Sequence, residues 1–284
     1  MLLTTDSQVE GVHFPAGSLE PAGVARRAVA VAVSDIGAMG GVPRYVLATF
    51  GIPADMAGAE GLVDGLGAAA GEFGVEPVGG NITSSPRLFI DVAAVGEVEE
   101  GSVVTRKGAR PGDAVFVTGT VGDARAGLEA LERGLEGTHA RVLIERFLRP
   151  RPPLALGAEL GRLRLASAMI DVSDGLALDI ERITVRYGLG ARVRTGSLPL
   201  SEAFAALAPN LWGEGAVEAA LSGGEDYELL FTVPPGREAE LERAARALGV
   251  AVTRIGEVCE GGGVVFESDG GRKLQPRRKG YVHG

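Results

Sequence analysis

The sequence predicts an α/β protein of the α+β type, built as two domains. At roughly 150 residues per domain, its 284 residues are enough for two domains and a sizeable core. Apolar runs typical of strands alternate with Ala-rich runs typical of helices, which is the pattern of this class. Turn residues and charges at 107–113 separate two strand-like runs. We therefore expect one domain at 1–107 and a second at 108–284.

The first expected domain contains one segment whose pattern is ambiguous. Segment 21–39 opens with Pro21 and is rich in alanine, which favours a helix. Its Val29, Val31 and Val33 alternate as they would in a strand, so the pattern alone leaves the choice open. The other expected elements of this domain are strands at 2–5, 44–52 and 87–98 and a helix at 57–73.

The second expected domain alternates in the same way. The apolar run 114–118 predicts its first strand, and the Pro-rich segment 149–153 breaks the chain between two helices. The other expected elements are helices at 124–134, 140–147, 154–161, 176–187 and 237–248, and strands at 168–170, 227–233 and 250–258.

Charge and composition exclude several classes of function. Lys and Arg total 28 against 37 Asp and Glu, a net charge of −9, which makes capture of nucleic acid or anionic lipid a poor hypothesis. An aromatic content of 5% argues against stacking on single strands. No apolar run approaches the roughly 18 residues of a membrane span, and Asp6 comes too early for a signal peptide. The one cysteine, Cys259, cannot form an internal disulfide, so we expect a reducing compartment, the cytoplasm.

The common nucleotide, zinc and hydrolase motifs have no counterpart in the sequence. No G-x-x-x-x-G-K-[ST] occurs, and no His/Cys group has zinc spacing. Gly65 and Gly67 match a dinucleotide fingerprint only in part, because the third spacing is wrong and no strand precedes them. We interpret them as helix-packing glycines. A catalytic Ser-His-Asp triad stays an alternative, although no G-x-S-x-G nucleophile elbow supports it.

Five small polar clusters at the ends of apolar runs are the main sign of chemistry. They combine carboxylates or amides, hydroxyls and glycines, a set that suits Mg²⁺ and phosphate. Bound metal ions would allow an acidic protein to hold a polyanion. Taken singly, each cluster is more typical of a helix N-cap or a turn. The clusters lie at 4–6, 34–35, 79–83, 171–175 and 222–228.

Longer stretches around these clusters resemble the thiamine-monophosphate kinases. The motifs E-G-V-H-F at 10–14 and G-G-E-D-Y-E at 223–228 point to this family within its ATP-binding superfamily. That superfamily also includes aminoimidazole ribonucleotide synthetase, selenophosphate synthetase and hydrogenase maturation factor E. The resemblance runs in order over essentially the whole chain, and its other stretches are 3–9, 33–41, 79–81, 106–113, 169–176 and 229–230.

The resemblance implies two α/β domains in a synthetase-like fold, with the N-terminal domains pairing in a homodimer that shares the site. It favours a helix over 24–39, against the valine alternation. The implied reaction uses ATP and Mg²⁺ to convert thiamine monophosphate to thiamine diphosphate. The acceptor phosphate has a second pKa of about 6, so it is already anionic and no catalytic side chain is predicted. Positioning and metal charge then suffice for direct in-line transfer.

The resemblance also implies roles for individual residues. The implied Mg²⁺ ligands are Thr4, Thr5, Asp6, Asp35, Asn81, Asp171 and Asp174. The implied ATP contacts are Gly80, Asn81, Arg106 and Ser173, with Arg106 as a phosphate clamp. The implied contacts to thiamine monophosphate are His13, Glu225 and Tyr281. As alternatives, His13 is a surface histidine, Arg106 forms a linker ion pair and Tyr281 is a packing aromatic.

The sequence departs from the family pattern in two places. Asn81 stands where the family has Asp, and its amide oxygen should bind Mg²⁺ less strongly. The family's Asp-Asp-Ala-Ala type segment has no counterpart ahead of Leu2, which leaves a truncated chain, a start assigned too late or an incomplete metal site. The alternative functions are a non-catalytic nucleotide-binding dimer and another superfamily member. Cys259 fits the reactive-cysteine position of neither selenophosphate synthetase nor the maturation factor.

Overall fold

The computed structural model describes residues 1–277 and 279–281, which form two β-sheets flanked by helices. The predicted fold class is confirmed. The elements of the first half are β1 (Leu2–Val9), α1 (Pro21–Ala38), β2 (Val42–Ile52), α2 (Gly61–Phe73), β3 (Glu76–Ser84) and β4 (Phe89–Glu97).

The first sheet has four strands in the order β1-β4-β2-β3. Strand β4 is antiparallel to both β1 and β2, whereas β2 and β3 are parallel. One face packs on α1, and the side chains of β1 and β2 on the other face are exposed. Nearly every residue of α1 from Val24 to Ala38 is buried. A helix that is apolar on all sides has no clear stripe, which is why its valines imitate a strand.

The second half of the chain forms a second sheet with its own helices. The elements are β5 (Ala114–Thr118), α3 (Asp123–Glu132), α4 (Thr138–Leu148), α5 (Leu154–Arg162), β6 (Ala168–Asp171), α6 (Leu176–Ile183), β7 (Leu189–Arg194), α7 (Glu202–Trp212), α8 (Ala216–Ser222), β8 (Leu229–Val233), α9 (Glu238–Ala247), β9 (Val252–Glu260), β10 (Gly263–Glu267) and β11 (Lys273–Leu274). The sheet has seven strands in the order β11-β10-β7-β9-β5-β8-β6. Strands β5, β6 and β8 are buried along their whole length.

The two halves meet where α5 crosses α1. Gly157 packs so tightly on Gly37 that a Cβ at position 157 would lie 2.3 Å from the Gly37 carbonyl oxygen. The expected boundary after residue 107 falls between β4 and β5, in a stretch without helix or strand. The division at that residue stays a prediction. Within the described ranges, no helix is both long enough and apolar enough to cross a membrane.

Candidate active site

A cavity of about 540 Å³, the first cavity, lies between β1 and segments of the second half. Its wall combines aromatic and carboxylate side chains, with Phe147 of α4 and Tyr227 among the aromatic residues. The sequence-predicted residues that line it are Asp6, His13, Ser173, Asp174, Glu225 and Tyr281. The structure therefore brings together all three residues that were predicted to contact thiamine monophosphate.

A second cavity has a volume of about 380 Å³. Ile36 and Met39 reach it from the end of α1, and Met169 reaches it from β6. The sequence-predicted residues that line this second cavity are Thr4, Asp35, Arg106 and Asp171. Of the predicted ATP contacts, Arg106 lies here and Ser173 lies in the first cavity.

The two cavities adjoin along two segments of the chain. Along β1, Thr4 lines the second cavity and Asp6 lines the first. After β6, Asp171 lines the second cavity and Asp174 lines the first. Both segments therefore pass from one cavity to the other, and both carry carboxylates where they do so.

The alternation of β1 decides which of its polar residues reach the cavities. Successive side chains of a strand point to opposite faces of its sheet. Thr4 and Asp6 are half-buried on the face that packs against α1, whereas Thr5 is exposed on the other face. The structure thus separates Thr5 from its two predicted partners within this chain.

Three carboxylates near the boundary of the cavities influence one another. Asp35, from α1, accepts a hydrogen bond from the Thr4 hydroxyl at 2.6 Å. Asp171 accepts one from the Ser34 hydroxyl at 2.7 Å, which ties α1 to the end of β6. Burial, together with the charges of Asp35 and Glu225, raises the pKa of Asp6 to about 7. Burial and the charge of Asp35 also raise the pKa of Asp171.

Asp174 is held by a buried network at the start of α6. Its carboxylate pairs with Arg182 at 2.5 Å. Asp179 accepts hydrogen bonds from the backbone N–H groups of Asp174 and Gly175, and it also pairs with Arg182 at 2.7 Å. Burial raises the pKa of Asp179 to about 6, although Arg182 opposes the shift. The network fixes the backbone that carries Asp174.

The loop before β8 has an unusual backbone conformation around Glu225. Glu225 and Tyr227 have φ angles of 72° and 50°, a left-handed region that residues other than glycine rarely adopt. Backbone hydrogen bonds hold the loop in place: Glu225 N–H donates to Ser173 O at 2.8 Å, and Tyr227 N–H donates to Val172 O at 2.9 Å. The loop is therefore fixed beside the segment that carries Asp174.

His13 and Tyr281 are oriented by backbone hydrogen bonds. The Val9 N–H donates to Nδ1 of His13 at 3.0 Å, so in the neutral ring the proton lies on Nε2. The Tyr281 N–H donates to Asp174 O at 2.8 Å, which attaches the end of the chain to the rim of the first cavity. Val282 and His283, which follow Tyr281 in the sequence, lie outside the described residues.

Gly80 and Asn81 line neither cavity. They lie on β3, an edge strand of the first sheet that is exposed along its whole length. Asn81 is in register with Thr49, which is in turn in register with Asp91, and Asp91 accepts a hydrogen bond from Ser7. These predicted residues therefore belong to an exposed polar row on the first sheet.

The residues at the cavity boundary fit Mg²⁺ as a metal shared with phosphate. Within the described part of the chain, no three His, Cys, Asp or Glu side chains lie close enough to hold an ion by themselves. Mg²⁺ commonly takes one or two carboxylates and completes its shell with water and substrate phosphate. All the donors here are oxygens. Burial, and after it the charges of Asp35 and Glu225, raise the pKa of Asp6, and a divalent cation would relieve the part that comes from those charges.

Several residues of the site carry no sequence motif that would have revealed them. Gln8, Arg125 and Phe147 line the first cavity from three different elements. Arg27 lies behind the wall and donates to Gln8 and to Glu225. The one available signal was the pair of arginines inside the apolar helix α1, since a buried charge needs a partner.

Comparison with known proteins agrees with this fold. Residues 1–98 match the family model of the AIR synthase related protein, N-terminal domain, and residues 110–269 match that of the C-terminal domain. The molecule is thus a two-domain protein of the AIR synthase related class.

Its relatives define the family more narrowly. The thiamine-monophosphate kinase of Salmonella typhimurium is 39% identical over 288 residues, covering 100% of this chain and 86% of the relative. The structure of the Stenotrophomonas maltophilia thiamine-monophosphate kinase has 34% identity and a TM-score of 0.86, over 96% of this chain and 86% of that one. The structure of AaThiL complexed with AMPPCP and TMP has 37% identity and a TM-score of 0.85, over 99% and 86%. The chain belongs to the thiamine-monophosphate kinase family.

Proposed function

We propose that the protein transfers the γ-phosphoryl group of ATP to thiamine monophosphate, giving thiamine diphosphate and ADP. The observation that carries this proposal is that two adjoining cavities meet at Asp6, Asp35 and Asp171. Two anionic substrates need adjacent sites and positive charge between them, and carboxylates at the junction can gather that charge as metal ions. Relatives named thiamine-monophosphate kinase and the AaThiL complex with AMPPCP and TMP support the choice of substrates.

The first cavity suits the thiamine substrate. Thiamine carries a permanently cationic thiazolium ring, which aromatic faces and carboxylates attract. Phe147, Tyr227 and Tyr281 supply rings, and Glu225 supplies a carboxylate in the same wall. The volume of about 540 Å³ lies within the range of small-molecule sites.

The second cavity suits the nucleotide. Ile36, Met39 and Met169 offer apolar surface for a base. Arg106, in the same wall, has the geometry to clamp phosphate oxygens through paired N–H groups. A nucleotide placed there has its phosphates directed toward the shared boundary and the acceptor.

The site residues act by binding, orienting and neutralising. Mg²⁺, when bound, reduces the repulsion between the two phosphorylated substrates. We propose that Asp6, Asp35, Asp171 and Asp174 share several Mg²⁺ ions, with one or two carboxylates to each ion and the phosphates completing the shells. The acceptor phosphate is already largely anionic at neutral pH because its second pKa is about 6, so no side chain needs to remove a proton. Direct in-line transfer follows from alignment of the two substrates.

We also propose that the enzyme is a homodimer formed through the outer face of the first sheet. That face exposes Leu3, Tyr45 and Leu47, with 72%, 42% and 40% of their surface accessible. Exposed apolar surface on a sheet face is typical of an interface between copies. Leu47→Asp should convert a dimer to monomers in sedimentation experiments, whereas Val63→Asp on α2 should not. A monomeric wild-type protein would reject this part of the proposal.

Turnover tests the proposed function directly. The protein is incubated with ATP, Mg²⁺ and thiamine monophosphate, and the products are separated by chromatography. We expect thiamine diphosphate and ADP in equal amounts, and none when Mg²⁺ is removed by a chelator. ADP without thiamine diphosphate, or binding of both substrates without turnover, would contradict the proposal.

A further inference from the structure

Arg27 is a buried arginine that joins three segments of the molecule. None of its surface is exposed, and its guanidinium lies over the Phe147 ring at 4.7 Å from the centroid. Its Nε donates to Oε1 of Gln8 at 2.9 Å, and its two terminal nitrogens donate to the Phe147 carbonyl and to Oε2 of Glu225. One side chain of α1 therefore contacts β1, α4 and the loop before β8.

All three partners of Arg27 line the first cavity. Gln8, Phe147 and Glu225 are part of its wall, whereas Arg27 lies one layer behind them. Glu225 is 27% exposed toward the cavity and uses Oε2 for Arg27. The planar fork of an arginine can satisfy several acceptors in fixed directions, which a lysine ammonium cannot do. The arrangement therefore sets the direction of the Glu225 carboxylate.

We propose that Arg27 is a positioning residue for the thiamine substrate, acting through Glu225 and through the ring of Phe147. This inference rests on the proposed function, because it assigns the first cavity to thiamine monophosphate. Arg27 touches no substrate. It holds the carboxylate and the aromatic face that the substrate contacts, so its loss should weaken binding in the first cavity and leave the second cavity unaffected.

The neighbouring Arg26 provides a matched control. It is also buried, pairs with Glu72 through two hydrogen bonds of 2.6 and 2.9 Å, donates to Pro150 O at 3.1 Å and lies over the Phe73 ring at 5.2 Å. It thus makes the same kinds of contact from the same helix, and none of these four groups lines the first or second cavity.

The test compares Arg27→Lys with Arg26→Lys in the full-length protein. For Arg27→Lys we expect the KM for thiamine monophosphate to rise about tenfold or more while the KM for ATP stays within about twofold. For Arg26→Lys both constants should stay within about twofold, with a comparable fall in the midpoint of thermal unfolding. Equal effects of the two variants, or a rise in both constants for Arg27→Lys, would show a purely structural role and overturn the inference.

A second pair of variants covers the case in which Arg27→Lys does not fold. Removing one partner of a buried ion pair leaves an unpaired charge, whereas neutralising both partners removes that penalty. We expect Arg27→Gln/Glu225→Gln to fold and to have a KM for thiamine monophosphate within about threefold of that of Glu225→Gln alone, the difference coming from the lost contact with Phe147. A further rise in the double variant beyond about threefold would show that Arg27 does not act through Glu225.

Calorimetric titration of thiamine monophosphate separates this inference from the proposed function. If the wild-type protein turns the substrate over and Arg27→Lys binds it with unchanged affinity, only the role of Arg27 is rejected. If the wild-type protein binds the substrate without turnover, the affinity of Arg27→Lys still decides the role of Arg27. A wild-type protein that does not bind thiamine monophosphate rejects both.

Discussion

At the residue scale, the site depends on carboxylates placed close enough to repel one another. Asp35 lies near both Asp6 and Asp171, and its charge is a cause of the raised pKa of each. Such repulsion is unfavourable for an empty site and favourable for one that collects divalent cations. These carboxylates are therefore better explained by ligand binding than by stability.

Asp35→Asn tests this explanation. Asparagine keeps an oxygen for the Thr4 hydroxyl but removes a negative charge from the boundary of the cavities. We expect turnover to fall on the order of 100-fold while the free energy of unfolding changes by less than about 1 kcal/mol. Asp64→Asn, on the exposed side of α2, is the control and should alter neither quantity. Steady-state kinetics measure turnover, and urea unfolding measures the free energy of unfolding. A loss of stability as severe as the loss of turnover would mean that Asp35 is a structural residue.

Glu228 gives a pH dependence that is independent of the proposed metal site. Burial raises its pKa from 4.5 to about 7, although the Thr118 hydroxyl, which donates to it at 2.5 Å, opposes the shift. Because the folded-state pKa is the higher one, protonation of Glu228 stabilises the folded protein. That contribution is complete below the unfolded-state pKa and is lost as the pH rises through about 7.

Glu228→Gln should therefore flatten the dependence of stability on pH. Glutamine resembles the protonated acid and keeps an acceptor for Thr118. We expect the variant to match the wild type near pH 4.5 and to exceed it by about 3 kcal/mol near pH 8, measured by urea unfolding. A variant that is less stable than the wild type at both pH values would show that the carboxylate itself stabilises the fold.

The residues that the sequence identified and those that it missed differ in how they reach the site. Asp6, His13 and Glu225 lie in motifs, and the structure gathers them in one cavity. Gln8 lines that cavity with Arg27 in the layer behind it only because β1 and α1 pack together, and the order of residues along a chain does not specify such packing. Thr5 shows the reverse problem, since a cluster of adjacent residues in a strand is divided between two faces.

At the element scale, strands and helices were predicted well where the apolar residues followed one clear pattern along the sequence. Strand β5 occupies the predicted residues, and α5 differs from its prediction by one residue at its end. Helix α1 was ambiguous because it is buried on nearly all sides, and the family resemblance decided in favour of the helix that its alanine content also indicated. Strand β3 was not predicted, since its residues Gly79, Gly80 and Asn81 disfavour strands.

The two central glycines of α2 differ in how much space surrounds them. A Cβ at Gly65 would lie 2.4 Å from Ala22 Cα, whereas one at Gly67 would meet no atom within 4 Å. We expect Gly65→Ala to lower the free energy of unfolding by about 1–3 kcal/mol and Gly67→Ala to raise it by about 0.5–1 kcal/mol. Thermal and urea unfolding check both values. Stabilisation by both substitutions would contradict the close packing of α2 on α1.

At the scale of the whole molecule, the proposed reaction depends on how the two halves are held together. The first cavity takes its wall from β1 and from helices and loops of the second half, and the second cavity takes much of its wall from α1 and β6. The hydrogen bond from Ser34 to Asp171 and the contact of α5 with α1 fix these parts against each other. A small shift between the halves should therefore reduce activity before it reduces folding.

Gly157→Ala would produce such a shift. The added methyl group would lie 2.3 Å from the Gly37 carbonyl oxygen, and Gly37 is flanked by Ile36 and Ala38, which line the second cavity. The helix backbones must then move apart, which should lower the free energy of unfolding by about 1–3 kcal/mol and raise the KM for ATP about tenfold or more. Gly65→Ala is the matched comparison, because it also forces a helix away from α1, and no residue of α2 lines either cavity. If the two variants lose similar stability but only Gly157→Ala loses affinity for ATP, the crossing of α1 and α5 sets the geometry of the nucleotide site. Equal changes in the KM for ATP would mean that this crossing has no particular role in the nucleotide site.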